Sequence, residues 1–130
     1  MVKKNACVFI SGKGTNLKNL IFKSREYNFP INIRLVVTNR KDADGIVYAK
    51  KNSIPLLFVN TNSRNYENLI LNAFKKYNIY IVCLSGYMKI LPESFLKKFG
   101  KKVINIHPSL LPKFKGLDTF SRVLKNREIK

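Results

Sequence analysis

Five short apolar runs recur along the chain at nearly even spacing, with polar segments between them. Within each run almost every position is apolar, instead of every second one. Continuous runs of this length are typical of strands that are covered on both faces of a sheet. We therefore predict five buried strands, over residues 6–10, 33–38, 55–59, 79–84 and 103–106.

The segments between the runs carry helical periodicity. In the clearest segment, apolar positions repeat at i, i+3 and i+4; they are Tyr66, Leu69, Ile70, Ala73, Phe74 and Tyr77. The apolar positions of the first and fourth predicted helices are Leu17, Leu20 and Ile21, and Leu91, Phe95, Leu96 and Phe99. The fourth helix has Pro92 near its start and Gly100 just past its end, which is the usual asymmetry of helix ends. A less regular segment predicts a further helix over about 42–52, with Gly45 near its start.

Strands and helices that alternate in this way indicate right-handed crossovers and an α/β fold, with a mostly parallel sheet and helices on both faces. A length of 130 residues suits one domain, so we expect a single domain over residues 1–130. After the fifth run come a loop and one short amphipathic stretch, about 119–126, and nothing caps the last strand edge. An uncapped edge favours self-association, so we expect a homo-oligomer.

The formal net charge of +18 is the strongest compositional signal. One interpretation is a polyanion partner such as RNA, and the other is a proteome rich in lysine. Only six of the 25 basic residues are arginine, the residue that forks onto phosphates and base edges, and the lysines are spread along the whole chain. We favour the proteome bias and expect no nucleic-acid partner, although the charge attracts small anions.

No apolar run approaches the roughly 20 residues that cross a bilayer. The apolar segment after the first lysines is too short for a signal peptide. Cys7 and Cys83 both lie in predicted strands, and neither has a Cys or His neighbour at metal-ligand spacing. We therefore expect a cytoplasmic protein with reduced core cysteines, no membrane partner and no metal.

In parallel sheets, ligands bind outside the carboxyl ends of the strands, and three informative stretches follow predicted strands. Residues 11–17 place two glycines around a lysine before a Thr-Asn helix start, where free backbone N–H groups can hold a single phosphate. The alternative there is a plain tight turn capped by Thr15 or Asn16. Residues 85–91 offer Met88, Ile90 and Leu91 as an apolar wall for a flat ring, or simply as core.

The third stretch combines a carboxamide with the only histidine of the chain. Asn105 and His107 are two residues apart on a predicted strand, so their side chains emerge on the same face. An asparagine can donate to a developing oxyanion while a histidine moves a proton, as acyl or formyl transfer requires. A lone histidine is otherwise a structural residue, and Asp118 is the only carboxylate near this loop, so the constellation is incomplete.

Together these stretches resemble the phosphoribosylglycinamide formyltransferase family, whose members are folate-dependent enzymes. The similar stretches occur in the same order and extend over nearly the whole chain. The resemblance rests on residues 11–17, 39–45, 63–64, 86–91 and 105–112. It implies the family's Rossmann-like fold. It also implies transfer of the formyl group of 10-formyltetrahydrofolate, the co-substrate, to the amine of 5-phosphoribosylglycinamide in de novo purine synthesis. Small-molecule substrates are therefore the implied partners.

The resemblance also implies roles for residues at matching positions. Those for the ribonucleotide phosphate are Gly14, Thr15 and Asn16. Those for folate are Arg64, Met88, Lys89, Ile90, Leu91 and Asn105, with Lys89 in the place of the more usual arginine. The implied catalytic residues are Asn105, which polarises the formyl group, and His107, which is the acid–base residue.

The family's aspartate that raises the proton affinity of the histidine lies a few dozen residues beyond it, whereas 23 residues follow His107 here. We therefore expect this chain to be the N-terminal portion of the family's fold, with the C-terminal elements missing, and to transfer formyl groups poorly by itself. Two alternatives stay open. One is a non-catalytic ribonucleotide-binding remnant or incomplete subunit, and the other is a tRNA-directed formyltransferase or basic RNA-binding protein.

Overall fold

A computed structural model describes residues 2–12, 15–85 and 91–106 of the chain. Strands and helices alternate throughout these residues. In chain order they are β1 (Lys4–Ile10), α1 (Thr15–Ser24), β2 (Ile31–Thr38), α2 (Ile46–Lys51), β3 (Leu56–Phe58), α3 (Tyr66–Tyr77), β4 (Ile81–Ser85), α4 (Glu93–Phe99) and β5 (Lys102–Asn105). None of the helices in this part of the chain is long and apolar enough to cross a bilayer.

The five strands form one sheet with the order β3-β2-β1-β4-β5. Every neighbouring pair is parallel, which confirms the predicted α/β fold. The chain builds the sheet outward from β1 to β3 on one side and then crosses to β4 and β5 on the other. Strand order therefore reverses beside β1, between the ends of β1 and β4, where open α/β sheets bind ligands.

The helices cover both faces of the sheet and form two apolar cores. Alternate residues of β1 explain the division, since Ala6 and Val8 face the first core while Cys7 and Phe9 face the second. Helix α1 supplies Leu17, Leu20 and Ile21 to the first core. Helices α3 and α4 supply Ile70, Phe74, Phe95 and Phe99 to the second. Burial on both faces accounts for the continuous apolar runs.

All five predicted strands are present, and their ends differ from the prediction by one or two residues for local reasons. Ile79 was assigned to a strand, but its N–H donates to the carbonyl of Phe74 at 2.9 Å, so it closes the end of α3. Asn78 before it adopts the left-handed conformation that ends many helices. Strand β4 therefore starts at Ile81.

Two predicted helical features differ from the structure, and one agrees closely. Helix α2 starts at Ile46 instead of near 42, because residues 41–45 form turns in which the Ile46 N–H donates to the Ala43 carbonyl. Leu69, which was predicted on the apolar stripe of α3, is half exposed. Helix α4 runs from just after Pro92 to just before Gly100, and Gly100 has the positive φ of a C-cap glycine. The predicted stretch 119–126 lies outside the described residues.

Candidate functional site at the carboxyl edge of the sheet

Five of the predicted site residues lie in the described part of the chain, and five do not. Thr15 is the first residue of α1, Asn16 the second, and Asn105 the last residue of β5. Arg64 and Leu91 lie in the connections before α3 and α4. The predicted residues outside the described ranges are Gly14, Met88, Lys89, Ile90 and His107, together with the candidate carboxylate Asp118.

Three polar residues mark the carboxyl ends of neighbouring strands. Strand register places Ile10 opposite both Thr38 of β2 and Ser85 of β4, and Leu84 opposite Asn105 of β5. Thr38 and Ser85 are buried, whereas the Asn105 side chain is exposed. The exposed carboxamide therefore stands at one end of a row of strand ends.

The loop after β1 is held to the loop after β2 by a hydrogen bond. The Ser11 hydroxyl donates to the Asn39 side-chain oxygen at 2.8 Å, and Ser11 has no exposed surface. A buried hydroxyl needs such a partner, so this bond fixes the geometry of the loop that leads to α1. Sequence reasoning missed the pair, because Ser11 and Asn39 are 28 residues apart and only the parallel register makes them neighbours.

The loop after β2 is fixed by a threonine and carries an ion pair. The buried Thr38 hydroxyl accepts the N–H of Arg40 and also lies 3.1 Å from the Arg40 carbonyl, to which it can donate. The Arg40 side chain then binds Asp42 in a fork, with Nε to Oδ1 at 3.0 Å and Nη2 to Oδ2 at 2.9 Å. The guanidinium holds the pKa of the Asp42 carboxyl below its ordinary value, so the pair stays charged at neutral pH.

A small polar cavity of about 290 Å³ opens between these two loops. Its lining residues are Ser11, Gly12, Arg40, Asp42, Ala43 and Asp44. A side chain built at Gly12 would meet nothing within 4 Å, so a ligand in the cavity can approach the backbone there. With one guanidinium and two carboxylates, the cavity offers hydrogen-bond acceptors to hydroxyl groups as well as donors to an anion.

Helix α1 begins at Thr15, directly after the loop that follows β1, so its first-turn N–H groups open at the same edge. The ten-residue helix has no acidic side chain in its first turn. The helix dipole and the first-turn N–H groups therefore favour an anion at this point.

The connections that carry Arg64 and Leu91 are held next to each other. Ser94 in the first turn of α4 donates to Glu67 in the first turn of α3, with 3.1 Å between the two oxygens. Arg64 is exposed just before α3, whereas Leu91 is buried in the second core before α4. Packing in that core accounts for Leu91, and a folate contact at this residue stays a prediction.

The described residues contain no group of three or more His, Cys, Asp or Glu side chains placed to hold a metal ion. Both cysteines are buried and unbridged. Burial raises the pKa of the Cys83 thiol to about 12 and raises that of Cys7 well above its ordinary value. Neither thiol forms a thiolate near neutral pH, so neither is a nucleophile.

Comparisons with known proteins identify relatives over almost the whole chain. A family model described as formyl transferase matches residues 4–128. The phosphoribosylglycinamide formyltransferase of Haemophilus influenzae is 39% identical over 126 residues, which are 94% of this chain and 59% of that protein. The human trifunctional purine biosynthetic protein adenosine-3 is 37% identical over 127 residues, which are 95% of this chain and 13% of that protein.

Solved structures with similar folds include two phosphoribosylglycinamide formyltransferases. The Coxiella burnetii structure has a TM-score of 0.73 and 35% identity, over 96% of this chain and 61% of that one. The Brucella melitensis structure has a TM-score of 0.74 and 33% identity, over 96% and 67%. The chain thus spans about three fifths of the length of its bacterial relative from Haemophilus influenzae.

Proposed function

The chain belongs to the formyl transferase family, and on that premise we propose that it is the ribonucleotide-binding portion of a phosphoribosylglycinamide formyltransferase. The observation that carries the proposal is the 39% identity to a relative of that name over 94% of the chain. Polar residues at the carboxyl edge support it, since Ser11 lies in the loop after β1, Asn16 in the first turn of α1 and Asn105 at the end of β5.

The proposed reaction transfers a formyl group from one small substrate to another. The amine of 5-phosphoribosylglycinamide attacks the formyl carbon of 10-formyltetrahydrofolate, a C–N bond forms, and the bond between that carbon and folate N10 breaks. Asn105 donates a hydrogen bond to the oxygen that becomes negative at the tetrahedral stage. His107 carries the proton lost by the amine to the leaving nitrogen. The products are the N-formyl ribonucleotide and tetrahydrofolate.

We further propose a division of the carboxyl edge between the two substrates. The phosphate lies against the backbone at Gly14, Thr15 and Asn16, where the start of α1 favours an anion. The neighbouring cavity, with acceptors on Asp42 and Asp44, suits the hydroxyl groups of ribose. The proposed folate contacts are Arg64, Met88, Lys89, Ile90, Leu91 and Asn105.

Calorimetric titration tests the substrate assignment. The ribonucleotide is expected to bind the purified chain, and the corresponding riboside, which lacks the phosphate, about tenfold or more weakly. Asn16→Asp places a negative charge at the start of α1 and should weaken ribonucleotide binding by a similar factor. Asn32→Asp makes the same charge change at the far end of β2, where residue 32 is exposed, and should leave binding nearly unchanged. Equal binding of ribonucleotide and riboside would contradict the assignment.

Formyl transfer is measured on the same protein with both substrates, by the release of tetrahydrofolate. Asn105→Ala is expected to lower the rate by about 10²–10³-fold while ribonucleotide binding stays within a few fold. Ribonucleotide binding without any transfer would reduce the proposal to a binding role for this chain. If the unmodified chain neither binds the ribonucleotide nor transfers the formyl group, the proposal is refuted.

We also propose a cytoplasmic location, since the buried unbridged thiols suit a reducing compartment. Self-association through β5, an edge strand of the sheet that the described residues form, is a proposal that sedimentation velocity tests: a concentration-dependent dimer is expected.

A further inference from the structure

Three lysines surround one tyrosine ring at the amino edge of the sheet, the opposite end from the proposed active site. Tyr80 precedes β4, and its ring centroid lies 4.6 Å from Nζ of Lys4, at the start of β1. The ammonium groups of Lys101 and Lys102, at the start of β5, lie 5.9 and 5.8 Å from the same centroid. We refer to Lys4, Tyr80, Lys101 and Lys102 as the lysine cage.

Helix dipoles explain the position of Lys101, which follows the C-cap Gly100 of α4, but not the positions of Lys4 and Lys102. Many basic residues of the chain lie in the last turns of helices, where they neutralise the negative end of the dipole. The lysines of the cage instead lie where strands begin, and their positive charges repel one another across one ring. Within the described residues, neither Lys4 nor Lys101 is in an ion pair with an acid.

The carboxylates of the described residues are concentrated at the opposite edge. Asp42 and Asp44 follow β2, and Glu67 and Glu93 lie in the first turns of α3 and α4, all at the carboxyl edge. Of the five carboxylates in residues 2–12, 15–85 and 91–106, only Glu26 follows a helix that ends at the amino edge, and it pairs with Lys23. Among the described residues, the side-chain charges at the amino edge are therefore mostly positive.

A groove of about 540 Å³ adjoins the cage on the other face of the sheet. One wall is a single face of α3 with an i, i+3, i+4, i+7 spacing: Asn68, Leu71, Asn72 and Lys75. The floor includes Phe74 and Phe99, and the end of the groove includes Lys101, which also belongs to the cage. This volume is within the range of small-molecule pockets, and amides with an apolar floor suit a flat heterocycle.

We propose that the lysine cage binds a multivalent phosphate anion, either a free polyphosphate or the phosphate tail of a nucleotide whose base lies in the groove. The ammonium groups of Lys4 and Lys101 each have three N–H donors and no acceptor, so several phosphate oxygens can be bound at once. An anion with several charges also offsets the repulsion among the three ammonium groups, which a chloride ion does only weakly. The site is separate from the formyl-transfer proposal and does not depend on it.

Isothermal titration with inorganic triphosphate at constant ionic strength tests the cage. The double variant Lys4→Gln/Lys101→Gln is expected to weaken triphosphate binding by about tenfold or more, since it removes two charged donors. The control Lys50→Gln/Lys51→Gln removes the same charge from the last turn of α2 and should weaken binding by less than about threefold. Circular dichroism checks that both variants fold, as expected for exposed lysines.

Two further titrations separate the sources of the phosphate. If the ligand is a nucleotide, ATP binds more tightly than triphosphate, and Asn72→Ala in the groove removes that advantage without changing triphosphate binding. If it is a free polyphosphate, ATP and triphosphate bind alike and Asn72→Ala changes neither.

Three results would overturn the proposal. The first is no triphosphate binding at physiological salt. The second is an equal loss in the cage variant and in the control, which would mean that the net charge alone attracts the anion. The third is single-stranded RNA binding more than about tenfold more tightly than triphosphate, which would assign the edge to nucleic acid. Ribonucleotide binding to the unmodified chain is measured in parallel. A failure of this proposal can therefore be distinguished from a failure of the proposed function.

Discussion

The two edges of the sheet differ in how their polar groups are held. At the carboxyl edge, hydroxyls are buried and hydrogen-bonded, as in Ser11 to Asn39 and Thr38 to Arg40, and the arginine there is forked onto Asp42. At the amino edge, the exposed side chains of Lys4 and Lys101 lie beside the Tyr80 ring. The first edge is therefore marked by buried hydroxyls in directional bonds, and the second by a cluster of like charges.

The parallel sheet itself explains much of this contrast, although not the position of Lys4 in the lysine cage. Every helix that follows a strand starts at the carboxyl edge, where its N–H groups favour oxygen acceptors, and ends at the amino edge, where its carbonyls favour lysines. The stability contributed by a directional hydrogen bond is lost when one of its atoms is removed. The energy of interactions between exposed charges instead depends on salt and pH. Substitutions at the two edges should therefore differ in size and in the condition that reveals them.

The largest expected effect is at the carboxyl edge. Thr38→Val keeps the branched shape but removes the buried hydroxyl that accepts the Arg40 N–H, and it should lower the free energy of unfolding by about 1–3 kcal/mol. Urea denaturation measures the change. Ser94→Ala removes an exposed hydroxyl bond to Glu67 and should change it by less than about 0.5 kcal/mol. Equal effects of the two substitutions would show that a buried hydroxyl of the carboxyl edge contributes no more stability than an exposed one.

A smaller effect is expected at the amino edge, and it should depend on salt. Lys101→Gln removes one of three like charges around Tyr80, so the unmodified chain should gain about 0.2–0.5 kcal/mol more stability from added salt than the variant does. The measurement is urea denaturation in low and high sodium chloride. Lys97→Gln breaks a pair with Glu93 and should not reduce the gain from salt. If Lys97→Gln reduced the stability gained from salt as much as Lys101→Gln does, the result would argue against local repulsion in the cage.

The smallest effect at neutral pH is expected for the Arg40–Asp42 pair, and acid reveals it. Because Arg40 lowers the pKa of the Asp42 carboxyl, the pair contributes stability that is present above about pH 4 and is lost as the pH falls through the lowered pKa. Asp42→Asn should therefore lose less stability than the unmodified chain between pH 5 and pH 2. Thermal unfolding across this range measures it, with Asp44→Asn as the control for one lost charge. Identical acid curves for Asp42→Asn and the unmodified chain would contradict the pairing.

The sequence predicted the sheet because strands buried on both faces are continuous apolar runs, and such runs can be recognised from the order of residues alone. It did not predict the end of α3, since Ile79 is apolar like a strand residue yet its N–H closes the helix. At the site, Asn105 could be placed near the carboxyl edge because it lies close to the end of the last predicted strand, 103–106. The Ser11–Asn39 bond and the lysine cage could not be predicted, because their members come from separate strands and meet only through the strand order β2-β1-β4-β5.

The central claim is that the carboxyl edge binds the ribonucleotide, and amide chemical shifts of the ¹⁵N-labelled chain test it most directly. During a titration with 5-phosphoribosylglycinamide, we expect the largest shift changes at Ser11, Gly12, Asn16, Asn39 and Asn105. The amides of Lys4, Tyr80 and Lys101 should stay unchanged. Shift changes centred on those three amides, with the carboxyl edge unperturbed, would contradict the account.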